Sequence, residues 1–444
     1  MENLLLTAVE SALREIDFDT ITTVEAKSCR SFDELVDIYK QNLTVTDSLV
    51  DCLAVCSAVH VATKLDGDPL WMYLVGAPSS GKSTLCELLS SDEFNSKPLS
   101  KFTGLISGSK PKDGAPANHL VTKLNGKCVI IKDGTLMLDA PPAQLQGIYG
   151  ELRDVFDGSL EAHYRNGVEA SFSGVSFSML IGITEKVYGL DLAALGERFL
   201  HCRLETYRET ELDRNKSAIT SIFGSTRKTV DNGGEVDGRQ FPVQRSYTAG
   251  FLSHLHDQVI HNDVKRLSFT QEDAKLIQDL ADVVACSRAS VPKDGQDNIL
   301  YDSSPEASTR VVKQICRLAL ALGYVYNIDC LDDTIRRLIR KVALDSSHSR
   351  QHTVIWALAQ EEGLTRTGIS NATNINIEQV RRIVDTLLSL GIVTQSHVTM
   401  ATVVGLPDTT SSLLSLPQWI KEAFIGAYDG KNHEAGESDK EEGA

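Results

Sequence analysis

No stretch of this 444-residue chain is apolar for long enough to read as a membrane span, and its first twenty residues lack the uncharged core of a secretory leader. Glu2, Glu10, Arg14, Glu15, Asp17 and Asp19 are spread among the leucines there, as in an amphipathic helix, so a cytoplasmic location and no membrane partner are expected. There is no C-x-x-C pair either. The nine cysteines, an odd number, lie scattered, which argues for reduced core thiols and against a disulfide framework or a zinc site. Positive charge is also short: 44 Lys and Arg stand against 60 Asp and Glu, a formal net charge of −16. The surface as a whole cannot attract nucleic acid, and any DNA contact must be local. His254, His256, His261, His348 and His352 have no carboxylate or cysteine at ligand spacing and are expected to be structural.

What the chain does have is Met72-Tyr-Leu-Val-Gly76-Ala77-Pro78-Ser79-Ser80-Gly81-Lys82-Ser83-Thr84, a complete Walker A signature between an apolar run and a helix-compatible run. The glycines let backbone N–H groups close around phosphates, Lys82 supplies a charge to the β- and γ-phosphates, and the Ser83 hydroxyl is a Mg²⁺ ligand. Residues Gly76 to Thr84 are therefore expected to bind ATP with Mg²⁺. The length suggests about three domains, and 42 % hydrophobic residues is ordinary for a globular chain.

Helices are expected over Ser31 to Lys40 and Thr46 to Leu65, then a core strand at Trp71 to Val75 and a further strand within Pro98 to Ser107. Lys127-Cys-Val-Ile-Ile-Lys-Asp133 is an apolar run ending in a carboxylate, the form of a Walker B strand whose Asp helps to hold Mg²⁺. Gln144 to Phe156 reads as helix. Ser159 to Gly174 contains Asn166-Gly167, the strongest signal for a two-residue hairpin turn, and Val175 to Ile183 is a buried strand ending at Thr184. Strands and helices alternating around a Walker A imply an α/β fold with a parallel sheet and a phosphate site at the carboxyl ends of its strands.

Walker A, Walker B, the hairpin before the Thr184 strand and the element Leu195-Gly196-Glu197-Arg198-Phe199-Leu200 together resemble an AAA+ module of the helicase branch, that of minichromosome maintenance and viral superfamily-three helicases. More narrowly, the chain is similar to ATP-binding proteins of bacteria and their mobile elements. The resemblance covers roughly Asp68 to Leu344. It implies that Thr184 is the sensor-1 residue that orients the attacking water and that Arg198 is an arginine finger reaching a neighbouring subunit's γ-phosphate. A homo-oligomeric ring follows from that. Arg310, in the run Ser308 to Gln314 that Ser304 and Pro305 would open, matches the sensor-2 residue contacting the γ-phosphate from the lid. The chain departs from the pattern at one place: Asp133 is followed by Gly134 where a catalytic Glu is usual, and preceded by Lys132. Either Asp133 holds the metal and the base is missing, or Asp133 is the base and Lys132 replaces the metal-shell acid.

Thr206 to Asp345 is expected to be helical, broken by a glycine-rich loop at Asp231 to Gly238, and its basic run Arg336, Arg337, Arg340 and Lys341 reads as a solvated face. Gln351 to Val404 reads as a winged helix: Asn376 to Gln379 is a capping box, Val380, Ile383, Val384, Leu387 and Leu388 form an apolar stripe, and Gly391 stops the third helix. Ile392 to Thr394 and Thr399 to Val404 would be the wing strands. Arg381 and Arg382 on the outer face are candidate DNA contacts, although winged helices also dock proteins. Tyr164 and Arg165, at the hairpin tip, are candidates to stack on a base and pair with a phosphate in a ring pore.

The expected class is thus α/β, a P-loop AAA+ parallel sheet with a helical lid, followed by a winged helix-turn-helix domain. Its plan is a helical lead-in (1–67), the ATPase core (68–208), the lid (209–346), the winged helix (347–405) and a C-terminal extension with an acidic disordered tail (406–444). Three functions remain open: an oligomeric, helicase-like ATPase that moves or remodels DNA, an ATP-gated switch or transcriptional regulator, and a non-hydrolysing scaffold.

Overall fold

The computed structural model describes residues 26–428 apart from 42, 91–95, 100–104, 108–118, 136–140, 190–197, 207–211, 213–229, 232–233, 236–241, 262–266, 293, 295–298, 301–306 and 401–408. The amphipathic segment Met1 to Thr20, Ser304, Pro305 and the acidic tail lie outside the described residues.

Five short segments make one parallel sheet. They are β1 (Trp71–Val75), β2 (Ser96–Leu99), β3 (Cys128–Ile131), β6 (Ser178–Ile183) and β7 (Phe199–Arg203), in the order β2-β3-β6-β1-β7. All four pairings are parallel. Every residue of β1, β3 and β6 is buried, which is why they read as continuous apolar runs and not as alternating ones. The second strand lies further towards the N-terminus than Pro98 to Ser107, and β6 is shorter than Val175 to Ile183. The fold is α/β.

Alternate residues of the strands enter two cores. Met72, Leu74, Cys128, Ile130, Leu180, Leu200 and Cys202 join α1 (Phe32–Lys40), α2 (Asp47–Ala62) and α3 (Lys82–Leu88). Trp71, Tyr73, Val75, Val129, Ile131, Met179, Ile181 and Phe199 join α4 (Leu120–Leu124), α5 (Pro142–Phe156) and the antiparallel hairpin of β4 (Ser159–His163) and β5 (Glu169–Ser173). Helix α2 is buried on all sides, so apolar residues surround it, and its buried Asp51 and His60 are paired with Arg337 and His256. Thr46 caps it, accepting from Leu49 N at 3.2 Å, and it ends at Ala62, short of Leu65.

A two-residue ladder, β8 (Val230–Asp231) with β9 (Gly234–Glu235), occupies part of the glycine-rich segment. Four long helices follow: α6 (Pro242–His261), α7 (Gln271–Arg288), α8 (Thr309–Val325) and α9 (Asp333–Ser347). Helix α9 covers the free edge of β7. His201 N donates to Ser346 Oγ at 2.8 Å, Arg203 N to Asp345 Oδ2 at 2.7 Å, and Lys341 Nζ to the Arg203 carbonyl at 2.9 Å, so side chains satisfy an edge that would otherwise invite another strand. The basic run on α9 is largely engaged within the fold: Arg337 pairs with Asp51 through two bonds of 2.7 and 2.8 Å, and Arg336 pairs with Asp273.

The C-terminal unit consists of α10 (Arg350–Gln360), α11 (Arg366–Thr373), α12 (Ile377–Ser389), the antiparallel pair β10 (Thr394–Met400) and β11 (Thr409–Ser415), and α13 (Gln418–Tyr428). Asn376 caps α12 through Glu378 N at 2.9 Å, in place of the expected box with Gln379. Gly391, at φ 68°, ends it: Ile392 N bonds to Leu387 O and Gly391 N to Leu388 O. Both strands are displaced towards the C-terminus: β10 shares only Thr394 with the first expected strand and takes in Thr399 and Met400 of the second, whose residues 401–404 lie outside the described residues, and its partner is Thr409–Ser415. The unit therefore continues beyond 405. Its last helix packs back on α7, where a Cβ on Gly426 would lie 2.9 Å from Asp279 Oδ2, and His352 links Ser287 of α7 to the Tyr428 hydroxyl at 2.9 and 2.8 Å. No helix among the described residues is long and apolar enough to cross a membrane.

Two outcomes are expected. Phe424→Ala removes a fully buried ring from α13 and should cost about 3–5 kcal/mol by urea unfolding, with α7 and α13 lost in one transition. His60 Nδ1 and His256 Nε2 lie 3.1 Å apart between α2 and α6, where burial depresses His60 strongly and His256 to about 4. Unfolded imidazoles take up protons near pH 6.5 while the folded pair stays neutral, so stability should be complete above about 6.5 and fall as pH drops towards 4. His256→Gln should flatten this acid limb in urea midpoints measured from pH 7 to 4.5.

Candidate functional site

The buried sheet leaves polar groups at its strand ends, and the glycine loop lies at the carboxyl end of β1. Gly76 N donates to Ile183 O of β6 at 3.2 Å, and a Cβ on Gly76 would lie 2.9 Å from Ser80 Oγ and 3.0 Å from Leu204 O, so this position requires glycine. Gly81 enters α3 at φ 98° and Ser79 adopts φ 63°, left-handed conformations that turn the chain sharply into the helix. Lys82 is buried. Its ammonium donates to Gly76 O at 2.7 Å, Ala77 O at 2.6 Å and Ser80 Oγ at 3.3 Å, so it lies inside the loop and holds the loop's own carbonyls. Burial lowers its pKa, opposed by the negative charges of Asp133 and Glu185. Ser83 is exposed at the start of α3 and Pro78 at the top of the loop.

Asp133 lies two residues past β3. Hydrogen bonds from the side chain and backbone of Thr135 hold its carboxyl below the usual range, and Thr135 N lies 2.9 Å from Oδ1. The strand's alternation sends Lys132 to the opposite side, where its ammonium meets Glu87 of α3 at 2.8 Å. Gly134 N bonds to Gly182 O of β6 at 2.8 Å, and a Cβ at 134 would approach Ile181 Cγ2 to 2.4 Å. Position 134 therefore cannot carry a glutamate side chain on this backbone. Thr184, next to β3 at the end of β6, has its Oγ1 buried without a hydrogen-bond partner among the described residues. An orphaned hydroxyl beside an exposed carboxylate and a buried ammonium fits a site that is completed by a ligand or an ordered water.

For a magnesium ion the donors present are hard oxygens, the Ser83 hydroxyl and the Asp133 carboxylate. Among the described residues no group of three His, Cys, Asp or Glu side chains is placed to hold a metal. That set suits an ion carried mainly by phosphates and water and not one held in a protein cage.

The two remaining arginines lie elsewhere. Arg198 precedes β7, whose first residue pairs with Trp71, so it sits at the amino ends of the strands. It is buried, with its guanidinium 3.0 Å from Asp157 and over the Phe156 ring at 5.4 Å. The side chain expected to serve a neighbour's γ-phosphate is thus paired within its own chain. Arg310 stands in the first turn of α8, one turn before Gln314, whose Nε2 donates to Arg198 O at 2.6 Å. Lys313 reaches Asp68, just before β1, at 3.3 Å. Arg310 is thus at the amino-end edge as well, across the sheet from the glycine loop of its own chain. The fold brings Arg198 and Arg310 together, away from Lys82, Asp133 and Thr184.

The hairpin turns through three residues, Arg165-Asn166-Gly167, with Tyr164 N bonded to Val168 O at 2.8 Å and Gly167 at φ 79°. Asn-Gly marked the turn correctly but not its length. Tyr164 is no free stacking platform. It packs on the core below α5, and its hydroxyl donates to Ile106 O at 3.0 Å, leaving Arg165 exposed at the tip. On α12, Arg381 and Arg382 are both exposed, and Arg381 pairs with Glu378 at 2.7 Å.

Sequence reasoning missed Glu185 and Arg203. Glu185 follows Thr184 directly, Arg203 ends β7, and the two meet at 2.9 Å. Neither belongs to the motifs used above, so only the strand order reveals them. Neither a family model nor a curated protein matches this chain.

Gly134→Ala should destabilise the protein by about 1–3 kcal/mol in urea, because Ile181 and the β3–β6 contact have to shift to admit a methyl group. A stability equal to that of the unsubstituted chain would show that the approach is slack.

Proposed function

We propose that the protein binds ATP with Mg²⁺ at Gly76 to Thr84 and hydrolyses it as an oligomeric AAA+ ATPase of the helicase branch. One observation carries the reading: the glycine loop, with Lys82 folded into it, joins a buried parallel strand to a helix, and Asp133 and the unpartnered Thr184 hydroxyl end the two strands on one side of it. In this reading the ammonium of Lys82 leaves the loop carbonyls for the β- and γ-phosphates, Ser83 and Asp133 hold the ion, and Thr184 accepts or donates to the attacking water. The bound ion supplies charge neutralisation on the phosphate oxygens.

Oligomerisation follows from the same geometry. Arg198 and Arg310 lie at the amino ends of strands whose carboxyl ends carry the loop, and β1 alone spans about 15 Å. If either arginine serves a γ-phosphate, that phosphate belongs to a neighbouring copy. Arg198 would then exchange Asp157 for it. Helices α10 to α12 with the β10–β11 pair, extended by the bridge of Leu364 to Leu414, support a winged-helix reading of the C-terminal unit, with Arg381 and Arg382 as its DNA- or protein-facing charges.

A specific observation favours the ATP-gated switch as second reading: Tyr164 is bonded to Ile106 O, Arg381 to Glu378 and Arg198 to Asp157, so three groups assigned to DNA or a neighbour are engaged within the chain.

Lys82→Ala should abolish binding of a fluorescent ATP analogue, whereas Asp133→Asn should spare binding and stop phosphate release. Unchanged binding by Lys82→Ala would remove the loop from the reading. Arg198→Ala should keep ATP and lose about 10³–10⁵ in turnover, with partial recovery on mixing with Lys82→Ala protein. Turnover raised by DNA selects the motor; slow turnover with ATP retained, indifferent to DNA, selects the switch.

A further inference from the structure

We propose that Glu185 is the carboxylate that orients and deprotonates the attacking water, taking the place of the glutamate that position 134 cannot hold. This inference rests on the reading of the glycine loop as an ATP-hydrolysing site.

Position 134 has no room for an acid. A carboxylate following Asp133 would have to start from a Cβ that lies 2.4 Å from Ile181 Cγ2, and the Gly134 N–H is already committed to Gly182 O. The acid has to come from another element that ends at the same place. Among the described residues, three carboxylates lie near Lys82 or on its helix. Asp133 is held by Thr135, and in the reading above it serves the ion. Glu87 points from α3 to Lys132, with a 2.8 Å ion pair. Glu185 is left: it follows Thr184 at the carboxyl end of β6, the strand between β3 and β1, and its negative charge acts on Lys82.

Its support is unusually firm for a half-exposed side chain. Arg203 Nη2 holds Glu185 Oε1 at 2.9 Å. Arg203 is itself fixed in three ways: it pairs in register with Val75 of β1, its N–H is bound by Asp345 Oδ2, and its carbonyl accepts from Lys341. Ile183 and Arg203 are the two neighbours of Val75, so the Glu185–Arg203 pair bridges the strands on either side of β1 where Gly76 begins the loop. A carboxylate locked by a rigid partner beside the phosphate site, next to the free hydroxyl of Thr184, is the arrangement that positions a water. In the step, the water oxygen bonds to the γ-phosphorus, the bond from phosphorus to the β,γ-bridging oxygen breaks with its electron pair going to ADP, and Glu185 accepts the water proton and returns it to the phosphate product. Arg203 acts as a positioning residue.

Glu185→Gln is isosteric and tests the assignment. The variant should bind a fluorescent ATP analogue within about twofold of the unsubstituted chain, release phosphate about 10²–10⁴-fold more slowly, and yield ATP instead of ADP when the bound nucleotide is extracted. Glu87→Gln, read alongside, should turn over normally. Arg203→Lys should keep binding and recover part of the turnover that Arg203→Gln loses. A Glu185→Gln protein that hydrolyses within about threefold of the original, or that loses ATP binding together with turnover, overturns the assignment. So does an unsubstituted chain that binds ATP and never cleaves it, an outcome that leaves the nucleotide-binding reading standing. Failure of the unsubstituted chain to bind ATP removes both.

Discussion

A parallel sheet buried on both faces has nowhere to place polar chemistry except at its ends. In this chain β1, β3 and β6 are buried at every position, with α2 and α8 on one side and α5 with its hairpin on the other. The first residues free to be polar are those just past each strand: Gly76 and Lys82 after β1, Asp133 after β3, Thr184 and Glu185 after β6. Their convergence is a consequence of the burial. The strand order then decides which of them are neighbours, and because β6 lies between β1 and β3, Thr184 and Glu185 come to stand between the lysine and the aspartate.

The same burial makes the strand contacts tight. Backbone passes over backbone at Gly134 and Gly182, where a Cβ at 182 would lie 2.5 Å from the Lys132 carbonyl. The cost of so close an approach is that an acid cannot follow Asp133. What looks in the sequence like a missing residue is a packing constraint.

The two ends of the sheet carry different equipment. Lysine, aspartate, threonine and glutamate gather at the carboxyl ends, while Arg198, Gln314 and Arg310 gather at the amino ends. A single copy does not bring both sets to one end of the sheet. The C-terminal unit is not a loose appendage: α13 returns to α7, and the chain His352, Ser287 and Tyr428 ties it to the helices that cover β7.

Local pattern alone specified much of this. The apolar runs of β1 and β3, the caps at Ser31, Thr46 and Asn376, the stripe on α12, the Gly391 stop and the loop from Gly76 to Thr84 depend on neighbours a few residues apart, and such neighbours are visible in the sequence. So was the α/β class, because strands and helices alternate. The turn length at Arg165 to Gly167, the second strand of the C-terminal pair and the return of α13 were not legible, since pairing over a distance set them. The same holds for the roles. That Arg310 stands on the far side of the sheet from Lys82, that Tyr164 is bonded to Ile106, that position 134 has no room for a side chain and that Glu185 meets Arg203 all follow from contacts between residues distant in the chain. Sequence determines which residues can do chemistry; only the packing of the strands decides which of them share a site, because their nearest neighbours lie across the sheet and not along the chain.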